Sequence, residues 1–123
     1  MLGEARLVLP WPVPLHACFF NRGRKGGSGT PTKRYRDYAV EAKIAWLQQG
    51  RPRVRGRVHV KIKLCPPDRR RYDCDNFGKC VMDNLVNLKV IEEDNNRIVR
   101  SLFWEWVDDG PPCEVQIIPA DLV

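Results

Sequence analysis

No run of apolar residues in this chain approaches the roughly 20 needed to cross a bilayer as a helix, which leaves no candidate membrane helix and no expected membrane partner. The first ten residues have neither a basic start nor a sustained apolar core. A secretory leader is therefore not expected, and the protein reads as cytoplasmic. Cysteine is present without a framework. Cys18, Cys65, Cys74, Cys80 and Cys113 are odd in number and no two have C-x-x-C spacing, so reduced thiols are expected rather than disulfides. A zinc site from Cys74, Cys80 and His59 is disfavoured by the same spacing, and His16 and His59 read as packed or exposed residues rather than ligands. No internal repeat is visible. Acid is scarce at first: residues 1–72 hold 17 Lys/Arg and 4 Asp/Glu, a net of +13, whereas residues 73–123 hold 4 and 11, a net of −7. That asymmetry predicts a basic surface for a polyanion, nucleic acid above all, beside an acidic centre.

What is there fits one domain, residues 1–123, small enough to gain from dimerising. Residues 6–9 read as a first strand, stopped by Pro10, Pro12 and Pro14. Residues 21–30 hold Arg22, Arg24, Lys25 and four glycines, and are expected to form a mobile basic loop. Thr30-Pro31 carries a helix-start signature, with Thr30 as cap and Pro31 at the first helical position. Tyr35, Tyr38, Ala39, Ala42, Ala45 and Trp46 recur at three- and four-residue steps through to Gly50. Residues 58–64 alternate apolar residues with His and Lys, a half-solvated strand ended by Pro66-Pro67. A second helix is expected from about Asp75 to Leu88, with Phe77, Cys80, Val81, Asn84, Leu85 and Leu88 inward. Residues 98–107 and 114–118 read as strands joined at Asp108-Asp109-Gly110 into a hairpin. The expected order is β-α-β-α-β-β, an α+β domain with two helices packed on a mixed sheet.

The densest chemistry lies in residues 68–79, Asp-Arg-Arg-Arg-Tyr-Asp-Cys-Asp-Asn-Phe-Gly-Lys. Asp73 and Asp75 are one residue apart, and close carboxylates repel unless a cation lies between them. Mg²⁺ takes one or two carboxylates, with water and substrate phosphate filling its remaining positions. Asp75 read alone is an ordinary helix cap; the pair is what suggests a metal. Arg69, Arg70 and Arg71 suit phosphate because a guanidinium donates two parallel hydrogen bonds, although three in a row cannot all meet one phosphate. Arg22, Arg24 and Lys25 could extend that footprint, as could Arg51, Arg53, Arg55 and Arg57, through contacts that weaken with salt. Lys79 can either pair with Asp83 one turn on or reach the phosphate. Glu92-Glu93-Asp94 could supply a third carboxylate. Trp104 and Trp106 share a strand face, as core or as stacking platforms.

Leu9-Pro10-Trp11-Pro12, Pro67-Asp68-Arg69-Arg70-Arg71, Asp73-x-Asp75-Asn76-x-x-Lys79 and the Glu93-Asp94 step before an apolar strand together resemble the RusA family of Holliday-junction resolvases, in order and spacing from about residue 7 to residue 107. The resemblance implies a small homodimeric endonuclease of bacterial or phage origin. It implies dependence on Mg²⁺, with Mn²⁺ a substitute, and paired nicks in four-way junction DNA during recombination and repair. It carries metal-binding and catalytic roles onto Asp73, Asp75 and Asp94, and a catalytic role onto Lys79. Strict alignment on Ile98 would move the third position to Asn95; Asp94 is preferred because a neutral amide is the poorer ligand. The family's asparagine soon after Pro-Trp-Pro has no clear counterpart, since Leu15 and His16 occupy that region.

Overall fold

The computed structural model describes residues 3–20 and 29–120. The basic loop expected at 21–30, with Arg22, Arg24 and Lys25, lies outside the described residues except for its last two positions. Strands and helices run β1 (Ala5–Leu9), β2 (Phe19–Phe20), β3 (Thr30–Pro31), α1 (Lys33–Gln48), β4 (Val58–Leu64), α2 (Gly78–Asn87), β5 (Val99–Trp106) and β6 (Cys113–Pro119), with a short 3-10 turn at Leu15–Ala17. No described helix is long and apolar enough to cross a membrane.

Alternation builds the main sheet. In β4, Val58, Val60, Ile62 and Leu64 are buried while Lys61 and Lys63 are exposed. β6 buries Cys113, Val115 and Ile117, and β1 buries Leu7 and Leu9. The strands lie in the order β1-β6-β4-β5. Registry then lines up apolar rows across three strands: Leu9, Cys113 and Leu64 in one, Leu7, Val115 and Ile62 in the next. Each fully buried aliphatic side chain contributes about 1.5–3 kcal/mol. Both helices pack on this face, α1 through Tyr35, Tyr38, Ala42 and Trp46 and α2 through Cys80, Val81, Asn84 and Leu85. The buried Asn84 amide is satisfied by the Cys80 carbonyl at 2.8 Å.

The α+β class, the single compact unit and the order of the main elements are as expected, with three local corrections. Thr30 and Pro31 do not start α1. They pair with Phe19 and Phe20 as a two-stranded ribbon, and Thr32 is the cap, accepting from Tyr35 N at 3.1 Å and donating to the Ala17 carbonyl at 2.6 Å. The later threonine wins because its hydroxyl serves the helix and the preceding chain together. Nor does α2 start at Asp75. A turn closed by Asn76 N on the Asp73 carbonyl at 3.2 Å delays it to Gly78, where a Cβ would sit 3.2 Å from the Trp104 ring. Finally, β5 and β6 form no hairpin. β4 lies between them, parallel to β5 and antiparallel to β6. A turn sequence shows that the chain reverses, not that the two strands touch.

Candidate nucleic-acid interface and metal site

β4 and β5 are parallel, so their carboxyl ends, Leu64 and Trp106, lie side by side. The chain leaves β4 there and runs through residues 65–77 into α2. Open sheets commonly bind ligands at such an edge. The loop owes its shape to a distant segment. Trp11 packs on Phe77 with centroids 4.9 Å apart, on Tyr72 at 5.2 Å and on Trp106 at 6.4 Å. Leu15 N donates to the Asn76 carbonyl at 2.7 Å, and Tyr38 holds the Pro10 carbonyl at 3.0 Å. The proline-stiffened segment after β1 thus props the acidic loop, and Phe77 is core, 1% exposed. Trp104 is half-buried against Gly78 and Trp106 is 40% exposed on the same strand face.

Asp73, Asp75 and Asp94 are all exposed, and none of their side chains has a hydrogen-bond or ion-pair partner among the described residues. Asn95 differs. Its side chain accepts from Arg97 N at 3.0 Å and its carbonyl takes the amides of Ile98 and Val99. Asn95 is committed to shaping the entry into β5, which leaves Asp94 as the uncompensated position.

The three arginines separate. Arg70 donates to Asp68 through Nε at 3.0 Å and a terminal nitrogen at 2.8 Å, and its guanidinium lies over the Tyr72 ring. Arg70 N and the Tyr72 hydroxyl complete the ring of donors, each 2.9 Å from the other Asp68 oxygen. These bonds, led by the one from the Arg70 side chain, hold the Asp68 carboxyl down at about 2. Arg69 and Arg71 are exposed and have no partner among the described residues. Lys79 pairs with Asp83 at 3.1 Å, and Asp83 also accepts the Tyr35 hydroxyl at 2.9 Å. Burial and the Asp83 charge together drive the Tyr35 phenol well above its ordinary range.

A cleft of about 430 Å³ opens beside the loop, with Arg70, Arg71, Tyr72 and Asp73 on one side and Trp11, His16, Arg34 and Asn76 around the rest. Asp75, Lys79 and Asp94 do not line it. Among the described residues no three His, Cys, Asp or Glu side chains gather into a metal site. The donors present are hard oxygens without counter-charges. They fit an ion that takes one or two carboxylates and completes its shell with water and phosphate, and they do not form an all-protein cage. Sequence reasoning passed over Arg34 and read His16 only as a packed or exposed residue. Arg34 reads as one of several basic positions opening a helix, and only the fold brings it to this cleft.

The family model for endodeoxyribonuclease RusA matches residues 12–118. The crossover junction endodeoxyribonuclease rusA of Enterobacteria phage HK97 is similar to this chain, 28% identical over 105 residues that make up 82% of this chain and 86% of the relative.

Proposed function

This chain belongs to the RusA endodeoxyribonuclease family, and from that premise we propose that it is a metal-dependent endonuclease that binds four-way DNA junctions and resolves them by paired nicks in opposing strands. It would serve recombination and repair in a bacterial or phage-infected cytoplasm. The observation that carries the chemistry is the juxtaposition, in one short loop, of two carboxylates, Asp73 and Asp75, with two arginines, Arg69 and Arg71, all four without a side-chain partner among the described residues. Free arginines hold phosphates; free carboxylates hold a cation against one of them.

Asp73 and Asp75 would hold Mg²⁺, or Mn²⁺ in its place, and the ion would supply an activated water and polarise the scissile phosphate. Arg69 and Arg71 anchor the backbone so that the reacting bond stays beside the carboxylates. Lys79 offsets the charge that builds on the phosphate, for which it must leave Asp83. That move breaks a partly exposed pair worth at most about 1 kcal/mol, a small cost.

Two opposed nicks call for two sites related by a two-fold axis, hence a homodimer. Support comes from β5, an edge strand with one side unpaired among the described residues, on which Leu102, Phe103 and Trp106 are 41%, 56% and 40% exposed. Strand pairing between two copies would satisfy that side and flank these side chains with those of the partner strand. The dimer also gives Asp94 a role. It follows α2 while Asp73 precedes it, and ten helical residues separate the two loops by about 15 Å. Asp94 of one subunit would then complete the site of the other, unless residues 88–94 run almost straight back along the helix.

The test is incubation with a labelled four-way junction, with and without Mg²⁺. Paired nicks in the metal-containing reaction only are expected, and their absence for junction and linear duplex alike would sink the enzyme reading. A less selective branched-DNA nuclease would cut forks and flaps equally well. A binding module without catalysis is favoured by one observation, the lack of a three-carboxylate cluster within the described chain; it predicts junction binding with no nick under any metal.

A further inference from the structure

Beside the cleft at Asp73 lies a second cavity of about 440 Å³ over the first turns of α1, and Trp11 and Arg34 line both. The two make one groove with Arg34 at its waist. The neighbouring cations of α1 are committed elsewhere. Lys33 pairs with Asp37 at 2.6 Å, and Arg36 donates to the Pro31 carbonyl at 2.9 Å. Arg34 has no partner among the described residues, and neither does Arg71 on the loop side of the cleft. An uncompensated guanidinium in a concave site is a phosphate binder. Between these two arginines lies room for one nucleotide, since small-molecule pockets start near 300 Å³. The walls suit a base. Trp11 and Tyr72 offer ring surface, and the Asn76 amide lies 3.5 Å from the His16 ring. Amide and imidazole groups can hydrogen-bond the edge of an unstacked base.

We infer that the groove is a nucleotide subsite adjoining the scissile phosphate, in which Arg34 and Arg71 hold successive phosphates of one strand while His16 and Asn76 contact a base edge. The strand therefore runs across the first turn of α1. Which phosphate is cut rests on the nuclease reading; binding in the groove does not.

The experiment uses the full chain without added metal. Short single-stranded homo-oligonucleotides of each base are titrated and tryptophan fluorescence is followed, because Trp11 lines the groove. Four-way junction binding is followed by anisotropy over a salt series. Arg34→Ala is expected to weaken oligonucleotide binding about tenfold and to lower the junction salt slope by about one. Arg36→Ala removes the same charge from the same helix outside the groove, and is expected to leave oligonucleotide affinity within about twofold, as a screened surface charge should. The parent is expected to rank the four oligonucleotides, and His16→Ala to narrow that spread. Equal losses for the two arginine variants would overturn the subsite. A parent indifferent to base, or a His16→Ala protein with the parent's spread, would overturn the base-edge contact. If the oligonucleotide binds in an Arg34-dependent way yet no junction is nicked, the nuclease reading fails and the subsite stands. If junctions are nicked while Arg34→Ala binds like the parent, the subsite alone fails.

Discussion

The loop entering α2 and the loop leaving it both carry exposed acids without partners among the described residues, yet they are held by different means. The entry loop is fixed from outside, by Trp11 on Phe77 and Tyr72 and by Leu15 on Asn76. The exit loop is held partly from within and partly by the segment before β4, whose Val54 N donates to the Val90 carbonyl at 2.8 Å. Val90 and Ile91 are buried, Val90 N donates to the Leu85 carbonyl at 2.8 Å, and Asn95 gathers three amides of the chain that follows it. The entry loop mixes arginines with its carboxylates, whereas Glu92, Glu93 and Asp94 stand together without a cation between them. Glu92 is engaged by Gly56 N at 3.1 Å. On the proposed function, the entry loop would bind a phosphate backbone and a cation at once, while the exit loop would offer a carboxylate alone.

The largest effect that could break this comparison is on cleavage. Asp73→Asn and Asp75→Asn are each expected to abolish nicking, because each would take a ligand from the proposed cation and with it the activated water. Junction affinity should stay near that of the parent in a filter-binding assay. Near-normal nicking by both at saturating Mg²⁺ would remove the entry loop from the chemistry. A mixed dimer sharpens the point. When Asp73→Asn and Asp94→Asn subunits are combined, a site shared between subunits regains one intact copy and nicks one strand. A site confined to each chain stays dead.

Next in size is stability. Leu64→Ala empties the row shared with Leu9 and Cys113 and should cost about 2–5 kcal/mol, read by urea unfolding. Because that row lies beneath the sheet end from which the entry loop departs, nicking should suffer at temperatures where an Arg6→Ala control keeps full activity. Smaller still are the arginines. Arg69→Ala with Arg71→Ala should lower the salt slope of junction binding by about two, and Arg70→Ala by much less, since Asp68 already occupies it. The smallest expected change is a gain. Asp68→Asn frees Arg70 and should steepen the slope by up to about one, as one more phosphate is neutralised. An unchanged slope would mean that Arg70 is turned away from DNA whatever its partner.

Much of this was legible in the residues. The alternation of β4 and the three- and four-residue steps of α1 are local, and local patterns survive folding. The carboxylate-arginine loop could be read because its chemistry is contiguous. The placement of β4 between β5 and β6 could not, since registry is decided by which apolar rows match across strands far apart in sequence. Thr30 and Thr32 each offered a capping hydroxyl, and the choice went to the one that also reaches Ala17. Arg34 was hidden for a related reason: its neighbours Lys33 and Arg36 carry the same charge, and only their contacts show that it alone of the three is left without a partner.

One contact at the far side of the sheet bears on how many copies can assemble. Val8 on the outer side of β1 gives its amide to the Gln49 side chain and receives the Gln49 amide on its carbonyl, both at 2.7 Å. A glutamine from the end of α1 thus imitates the next strand at Val8 and blocks strand addition there. Among the described residues, β5 is the margin left open to a neighbour. A sheet open at both margins can grow without limit into a fibre. One closed on a single side can join one copy of itself about a two-fold axis and then stops, so Gln49 would hold the proposed homodimer to a closed pair if it forms through β5.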